Sequence, residues 1–186
     1  MNFIDTGISG LLVIEPKIYE DNRGYFFESF NQKEFLDRSI ELNFIQDNQS
    51  KSSYGVIRGL HYQIEPYAQT KLVRVLQGRI FDVAVDIRKG SPTYGEVFGL
   101  ELSCENKKQL LVPKGFAHGF SVLSEIAIVF YKCDSLYCPS AERGINIFDE
   151  QLGIDWGIEK GKAIISEKDT KSPGLKDADS NFYLKK

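Results

Sequence analysis

The sequence predicts a mostly β protein, a β-sandwich or jelly roll. Three observations predict it. Short runs rich in Val, Ile, Phe and Tyr recur at nearly even spacing with turn residues between them. In "RIFDVAVDI", Phe81, Val83, Val85 and Ile87 share one face while Asp82 and Asp86 share the other, which is the period of a strand whose faces see different surroundings. Neither a β-α-β alternation nor a repeat of about 20–50 residues interrupts the pattern.

In chain order, strands are expected at 11–19, 24–30 and 44–50, with a short amphipathic helix over "NQKEFLDRSI" (31–40). Further strands are expected at 55–62, 71–77 and 79–88. The last two meet at Gly78, a hairpin signal. Strands at 95–103, 108–112, 117–123 and 126–132 complete the set. "SEKDTK" (166–171) places a serine three residues before an acidic one, a helix start. A chain of 186 residues is expected to form one domain, 1–186, with its most polar end, about 174–186, on the surface.

With 23 basic and 26 acidic residues the net charge is −3, which argues against a nucleic-acid or anionic-membrane binder but leaves room for a small anion held by a few converging cations. No apolar run reaches the roughly 18 residues of a membrane span. "MNFIDTGISGLLVIEPK" has no basic residue before Lys17, so the chain is expected to be cytoplasmic. Cys104, Cys133 and Cys138 are odd in number and lack a C-x-x-C pair, so buried free thiols are expected. There is no G-x-G-x-x-G after a strand, no P-loop and no G-x-S-x-G.

The chain has only two histidines, and both stand in apolar stretches, His61 in "GVIRGLHYQ" and His118 in "PKGFAHGFSVL". Taken singly, each reads as a satisfied core residue. Taken with Arg58, Lys71 and Arg23, cations in or beside apolar strands, they read as an anion-binding cavity, because a buried cation must be paired or face an anion. "PKGFAHGF" resembles half of a cupin metal motif. The earlier strand, however, reads His61-Tyr62-Gln63 where an H-x-H pair is needed, so no metal is expected. Tyr25, Phe26, Phe27 and Phe30 are expected mostly in the core. Spacing alone leaves Tyr131 and Tyr137 as strand-end tyrosines or, for Tyr131, a catalytic group.

Several long motifs occur in order: "DNRGYFFESF", "QDNQSKSSYGVIRGLHYQ", "QTKLVRVLQGRIFDVAVDIRKGSPTYG", "VPKGFAHGFSVLS", "YCPSAERGI", "LGIDW" and "SEKD". Over residues 3 to 175 the chain thereby resembles the dTDP-4-dehydrorhamnose 3,5-epimerase family. The resemblance implies a jelly-roll barrel, usually a homodimer, that acts on a dTDP-sugar without metal or redox cofactor. It implies inversion at C3 and C5 of dTDP-4-dehydro-6-deoxy-glucose. His61 matches the base, Asp169 the carboxylate that orients it, Tyr131 the acid, and Lys71 the group facing the C4 oxygen. Arg23, Glu28, Gln46, Asn48, Arg58, His118, Glu142 and Lys168 fall on nucleotide-sugar-binding positions, and Tyr137 matches the aromatic that stacks on thymine.

The residue types suit this chemistry. Removing a proton beside a ketone puts charge on the carbonyl oxygen, where a fixed ammonium stabilises it. Imidazole is a suitable base near neutral pH, and a carboxylate holds it in one tautomer. Arginine forks pair with diphosphate at two points. Thr70 where relatives commonly have Gly, the run "YCPSAE", and Gly157 after Trp156 depart from the pattern without removing a catalytic group. Inversion at only one carbon, or a silent nucleotide-sugar-binding jelly roll, are the alternatives.

Overall fold

The computed structural model describes residues 1–159 and 161–184. Its strands are β1 (Asn2–Asp5), β2 (Leu12–Glu15), β3 (Tyr19–Asp21), β4 (Gly24–Phe26), β5 (Gln46–Ser53), β6 (Ile57–Gln63), β7 (Lys71–Gln77), β8 (Arg79–Asp86), β9 (Val97–Ser103), β10 (Gln109–Val112), β11 (Phe116–Val122), β12 (Ile126–Cys133) and β13 (Glu142–Gly144). Two short helices, α1 (Gln32–Leu36) and α2 (Glu167–Thr170), accompany them.

Two antiparallel sheets form a jelly-roll sandwich, one of six strands in the order β1-β2-β10-β7-β12-β5 and one of five in the order β13-β6-β11-β8-β9. Between them lies a core drawn from both, including Val73, Val75 and Val129 of one sheet and Ile80, Leu102 and Phe120 of the other. The outer face of the five-stranded sheet buries Val83, Val85 and Ala117 beneath Ile145, Ile147, Trp156 and Phe182 from the C-terminal third. Strand β8 is therefore buried on both faces, and its alternation separates two apolar environments: Phe81, Val83 and Val85 face the outer layer, while Ile80, Ala84 and the two aspartates face the interior. Over part of the other sheet, Phe35 of α1 packs on Ile14, Leu72 and Leu111.

Several expectations need correction. β7 and β8 are not a hairpin: β7 pairs with β10 and β12, β8 with β11 and β9, and Gly78 carries the chain around a corner from one sheet to the other. A Cβ at Gly78 would lie 2.0 Å from the Ile126 carbonyl oxygen at a φ of +75°, so only glycine fits this corner. The strand expected at 11–19 stops at Glu15, before Pro16, which has no N–H to donate. The helix expected over 31–40 is capped by the Asn31 side chain on the Lys33 N–H and ends at Leu36. Beyond it, Ser39 turns at a φ of +60° and directs Ile40 back onto the α1 cluster. The polar end, expected on the surface, has most of its described residues exposed and is held in place by buried Leu175 and Phe182, with Lys89 donating its N–H to the Phe182 carbonyl. Of the thiols, only Cys133 is buried.

Candidate active site

The two histidines meet because β6 and β11 are neighbours with His61 opposite His118. In an unbroken strand Arg58 and His61, three positions apart, would face opposite sides of the sheet. Here Phe120 is opposite Arg58 and the register shifts before His118, so β6 carries one extra residue. This bulge turns Arg58 and His61 to the same side. Two glycines make room for it: a Cβ at Gly59 would stand 2.5 Å from the Gly119 Cα, and one at Gly119 would stand 2.6 Å from the Arg58 carbonyl oxygen.

A cavity of about 140 Å³ opens there, lined by Ser50, Arg58, His61, Lys71, His118, Gly119, Phe120 and Tyr131. Both sheets contribute. His61, Arg58 and His118 come from the five-stranded sheet, and Lys71 and Tyr131 from the six-stranded one.

His61 Nε2 lies 2.6 Å from Asp169 Oδ1. Asp169 is buried in α2, where its N–H donates to the Ser166 hydroxyl that caps the helix. Burial alone would raise the Asp169 carboxyl, but hydrogen bonds from His61 and Ser166 outweigh it and leave the group below the ordinary value. Burial pushes the Tyr131 hydroxyl up, so the phenol keeps its proton at neutral pH. The Lys71 ammonium is pulled below the usual lysine range by burial, against the opposing pull of Asp82 and Glu142, and it stands 5.9 Å from the centre of the Tyr131 ring. Lys71 and Tyr131 also face Cys133, whose thiol burial lifts to about 11.

Around the mouth, Gln46 Oε1 accepts the Tyr137 backbone N–H at 2.8 Å, and Gln46 Nε2 donates to Asn48 Oδ1. Asn48 is opposite Tyr131 on β5. Glu142 accepts a hydrogen bond from the Tyr137 hydroxyl at 2.7 Å and pairs with Lys168. Arg58 Nε donates to the Ser52 hydroxyl. Nearly all the expected residues therefore gather at one opening.

Arg23 and Glu28 do not. Arg23, with 86% of its side chain exposed, sits at the tip of the β3–β4 hairpin on Asp21, and Glu28 accepts from Asn31. The aromatic residues beside them also depart from expectation: Tyr25 and Phe26 are exposed, since this ribbon pairs with neither large sheet, while Phe30 packs on Phe35 and Phe44. Sequence reasoning missed Asp82, whose Oδ1 lies 2.9 Å from His118 Nε2. Its only signal was a carboxylate on the face of β8 that also carries Ile80 and Ala84. Among the described residues, no three of His, Cys, Asp and Glu gather as a metal would need.

The fold and its motifs recur in known proteins. A family profile described as dTDP-4-dehydrorhamnose 3,5-epimerase matches residues 5–177. The chain is 52% identical over 187 residues to the dTDP-4-dehydrorhamnose 3,5-epimerase of Shigella flexneri, covering 99% of this chain and 100% of that one. Among solved structures it resembles the dTDP-4-dehydrorhamnose 3,5-epimerase from Elizabethkingia anophelis NUHP1, with a TM-score of 0.92 and 50% identity over 95% of this chain and 97% of that one. It likewise resembles the dTDP-6-deoxy-D-glucose-3,5-epimerase from Legionella pneumophila Philadelphia 1 in complex with dTDP-4-keto-L-rhamnose, with a TM-score of 0.91 and 51% identity over 96% and 94% of the two chains. With the same fold and the whole domain matched, the chain belongs to the dTDP-4-dehydrorhamnose 3,5-epimerase family.

Proposed function

We propose that this isomerase inverts C3 and C5 of dTDP-4-dehydro-6-deoxy-D-glucose, forming dTDP-4-dehydro-L-rhamnose. One observation carries the reading: His61 and Tyr131 enter one cavity from opposite sheets, β6 and β12. A base and an acid on facing walls reach opposite faces of a sugar ring between them, which is what inversion requires.

His61, oriented by Asp169, removes the proton next to the ketone. The electrons move into the carbonyl, and the Lys71 ammonium stabilises the enolate oxygen. Tyr131, protonated at neutral pH, returns a proton to the opposite face. C3 and C5 flank the same carbonyl, so one ammonium at that oxygen serves both. Arg58 and His118 sit beside this centre as donors for the diphosphate, with Gln46, Asn48, Tyr137, Glu142 and Lys168 around the mouth for the nucleoside.

At about 140 Å³ the cavity suits a sugar ring rather than a whole nucleotide sugar, since sites for ligands of that size run to about 300–1,000 Å³. The nucleotide then lies across an open mouth. The β3–β4 hairpin, with exposed Tyr25 and Phe26 and an Arg23 whose side chain is held by a solvent-exposed ion pair with Asp21, is built to cover such a mouth on a second copy. The enzyme is thus a homodimer in which Arg23 and Glu28 serve the partner's site, formed by one domain per chain and working in the cytoplasm without a metal or redox cofactor.

Replacing His61 by Asn tests the reading. The variant is expected to lose exchange of substrate protons with solvent by about 100-fold or more while still binding dTDP, as calorimetry would register. An exchange rate near that of the wild type would remove His61 as the base.

A further inference from the structure

We infer that Asp82 is a positioning residue of this site: it holds the His118 ring by one nitrogen so that the other receives the diphosphate. The inference rests on the reading above, in which His118 faces the phosphates.

Asp82 has no exposed surface and sits on the interior face of β8 between Ile80 and Ala84. A carboxylate there is costly unless it is paired. Packing does not call for it, since both neighbours on that face are apolar. Oδ1 has one partner, His118 Nε2 at 2.9 Å, and Oδ2 is buried with none among the described residues. An ionised carboxylate only accepts, so Nε2 must carry the hydrogen of that bond. His118 Nδ1 has no partner among the described residues and belongs to a ring that lines the cavity.

Nδ1 offers a lone pair when the ring is neutral and an N–H when it is charged. An anion in the cavity selects the charged ring, and Asp82 directly behind it compensates that charge. The other charged and titratable groups around the ring are Arg58, His61 and Lys71 on the cavity wall, with Tyr131 opposite, Asp169 behind His61, and Glu142 acting on His61, Lys71 and Tyr131. The cations among them favour an anion, and among the described residues Asp82 is the carboxylate hydrogen-bonded to His118. The arrangement repeats that of His61 and Asp169 across the same strand pair, but the two dyads differ in role. The first moves a proton during the reaction, and the second holds Nε2–H so that Nδ1 can take up the proton it presents to the ligand.

Asp82→Asn keeps the volume and one acceptor oxygen, removes the charge and puts an NH2 in place of the other oxygen. It is expected to weaken dTDP binding, measured by calorimetry, by about tenfold or more. His118→Asn should bind dTDP about as weakly, and the double variant no more weakly than His118→Asn alone. A purely structural role for Asp82 would instead add its loss to that of His118.

With only two histidines, the imidazole nitrogen spectrum of the wild type provides a second measurement, with His118→Asn assigning the signals. His118 should be protonated at Nε2 in the free protein and gain a proton at Nδ1 when dTDP is added. Asp82→Asn binding within about twofold of wild type, additive losses, or a His118 without a proton on Nε2 would each overturn the inference. If Asp82→Asn does not fold, the wild-type spectrum decides alone. If the wild type itself binds no dTDP, the functional reading fails first and takes this one with it.

Discussion

Tyr131 separates packing from chemistry more cleanly than any other side chain in the cavity. It stands on β12 opposite Asn48 and packs against the interior core, so a purely structural role is chemically reasonable. Tyr131→Phe retains the ring and removes the hydroxyl whose proton burial protects. His61 can still take a proton and return it to the same face. The variant is therefore expected to exchange substrate protons for deuterium at least about tenfold faster than it forms inverted product, both rates being read from one NMR time course. Equal losses of exchange and inversion, or no loss of either, would contradict the acid role. At this scale the sequence is uneven. His61, Arg58 and Lys71 stand out as polar groups in apolar strands, a pattern physical reasoning can find. Asp169 lies 108 residues from His61 and no local pattern connects them, so only the family resemblance marks it. Asp82 looks like one half of an ordinary alternation, because periodicity does not tell an interior lined by polar groups from solvent.

The bulge in β6 is the element on which the site depends, since it brings Arg58 and His61 to one face. Gly59→Ala would place a methyl group 2.5 Å from the Gly119 Cα at a φ of +120°. The cost is expected to be about 2–4 kcal/mol in chemical denaturation, with a larger relative loss of activity as the strand shifts to relieve the clash. A variant as stable and active as wild type would show that the close approach of β6 and β11 is not required. The strands themselves are largely legible because their apolar runs are long and bounded by turn residues. What is not legible is where each strand pairs. Gly78 reads locally as a hairpin turn, but the same turn carries a corner between sheets, and only long-range pairing tells the two apart. The short β1 and β13 leave no signal because three or four residues hold too little pattern, and the exposed β3–β4 ribbon reads as core because aromatic content alone suggests burial.

At the scale of the molecule, the hairpin bearing Arg23 and the open mouth of the cavity belong together only if two copies meet. Heterodimers of one His61→Asn subunit and one Arg23→Ala subunit, isolated with two affinity tags, hold one site with both His61 and the partner's Arg23. Such heterodimers are expected to recover about half of wild-type activity per dimer, whereas each parent homodimer is weak. Heterodimers no more active than the parents would mean that Arg23 does not serve a neighbouring subunit. The C-terminal third, of which only the end, about 174–186, is expected as polar surface, covers the outer face of the five-stranded sheet with Trp156, Leu175 and Phe182, which are spaced among polar residues that conceal their role. That layer also carries α2, and with it Asp169. The central claim, double inversion by proton transfer at the carbons flanking one ketone, is tested most directly by incubating the wild-type enzyme with dTDP-4-dehydro-6-deoxy-D-glucose in deuterated water and reading the product by NMR. Deuterium at both C3 and C5 with both centres inverted is the predicted result; deuterium at one carbon only, or at neither, would contradict it.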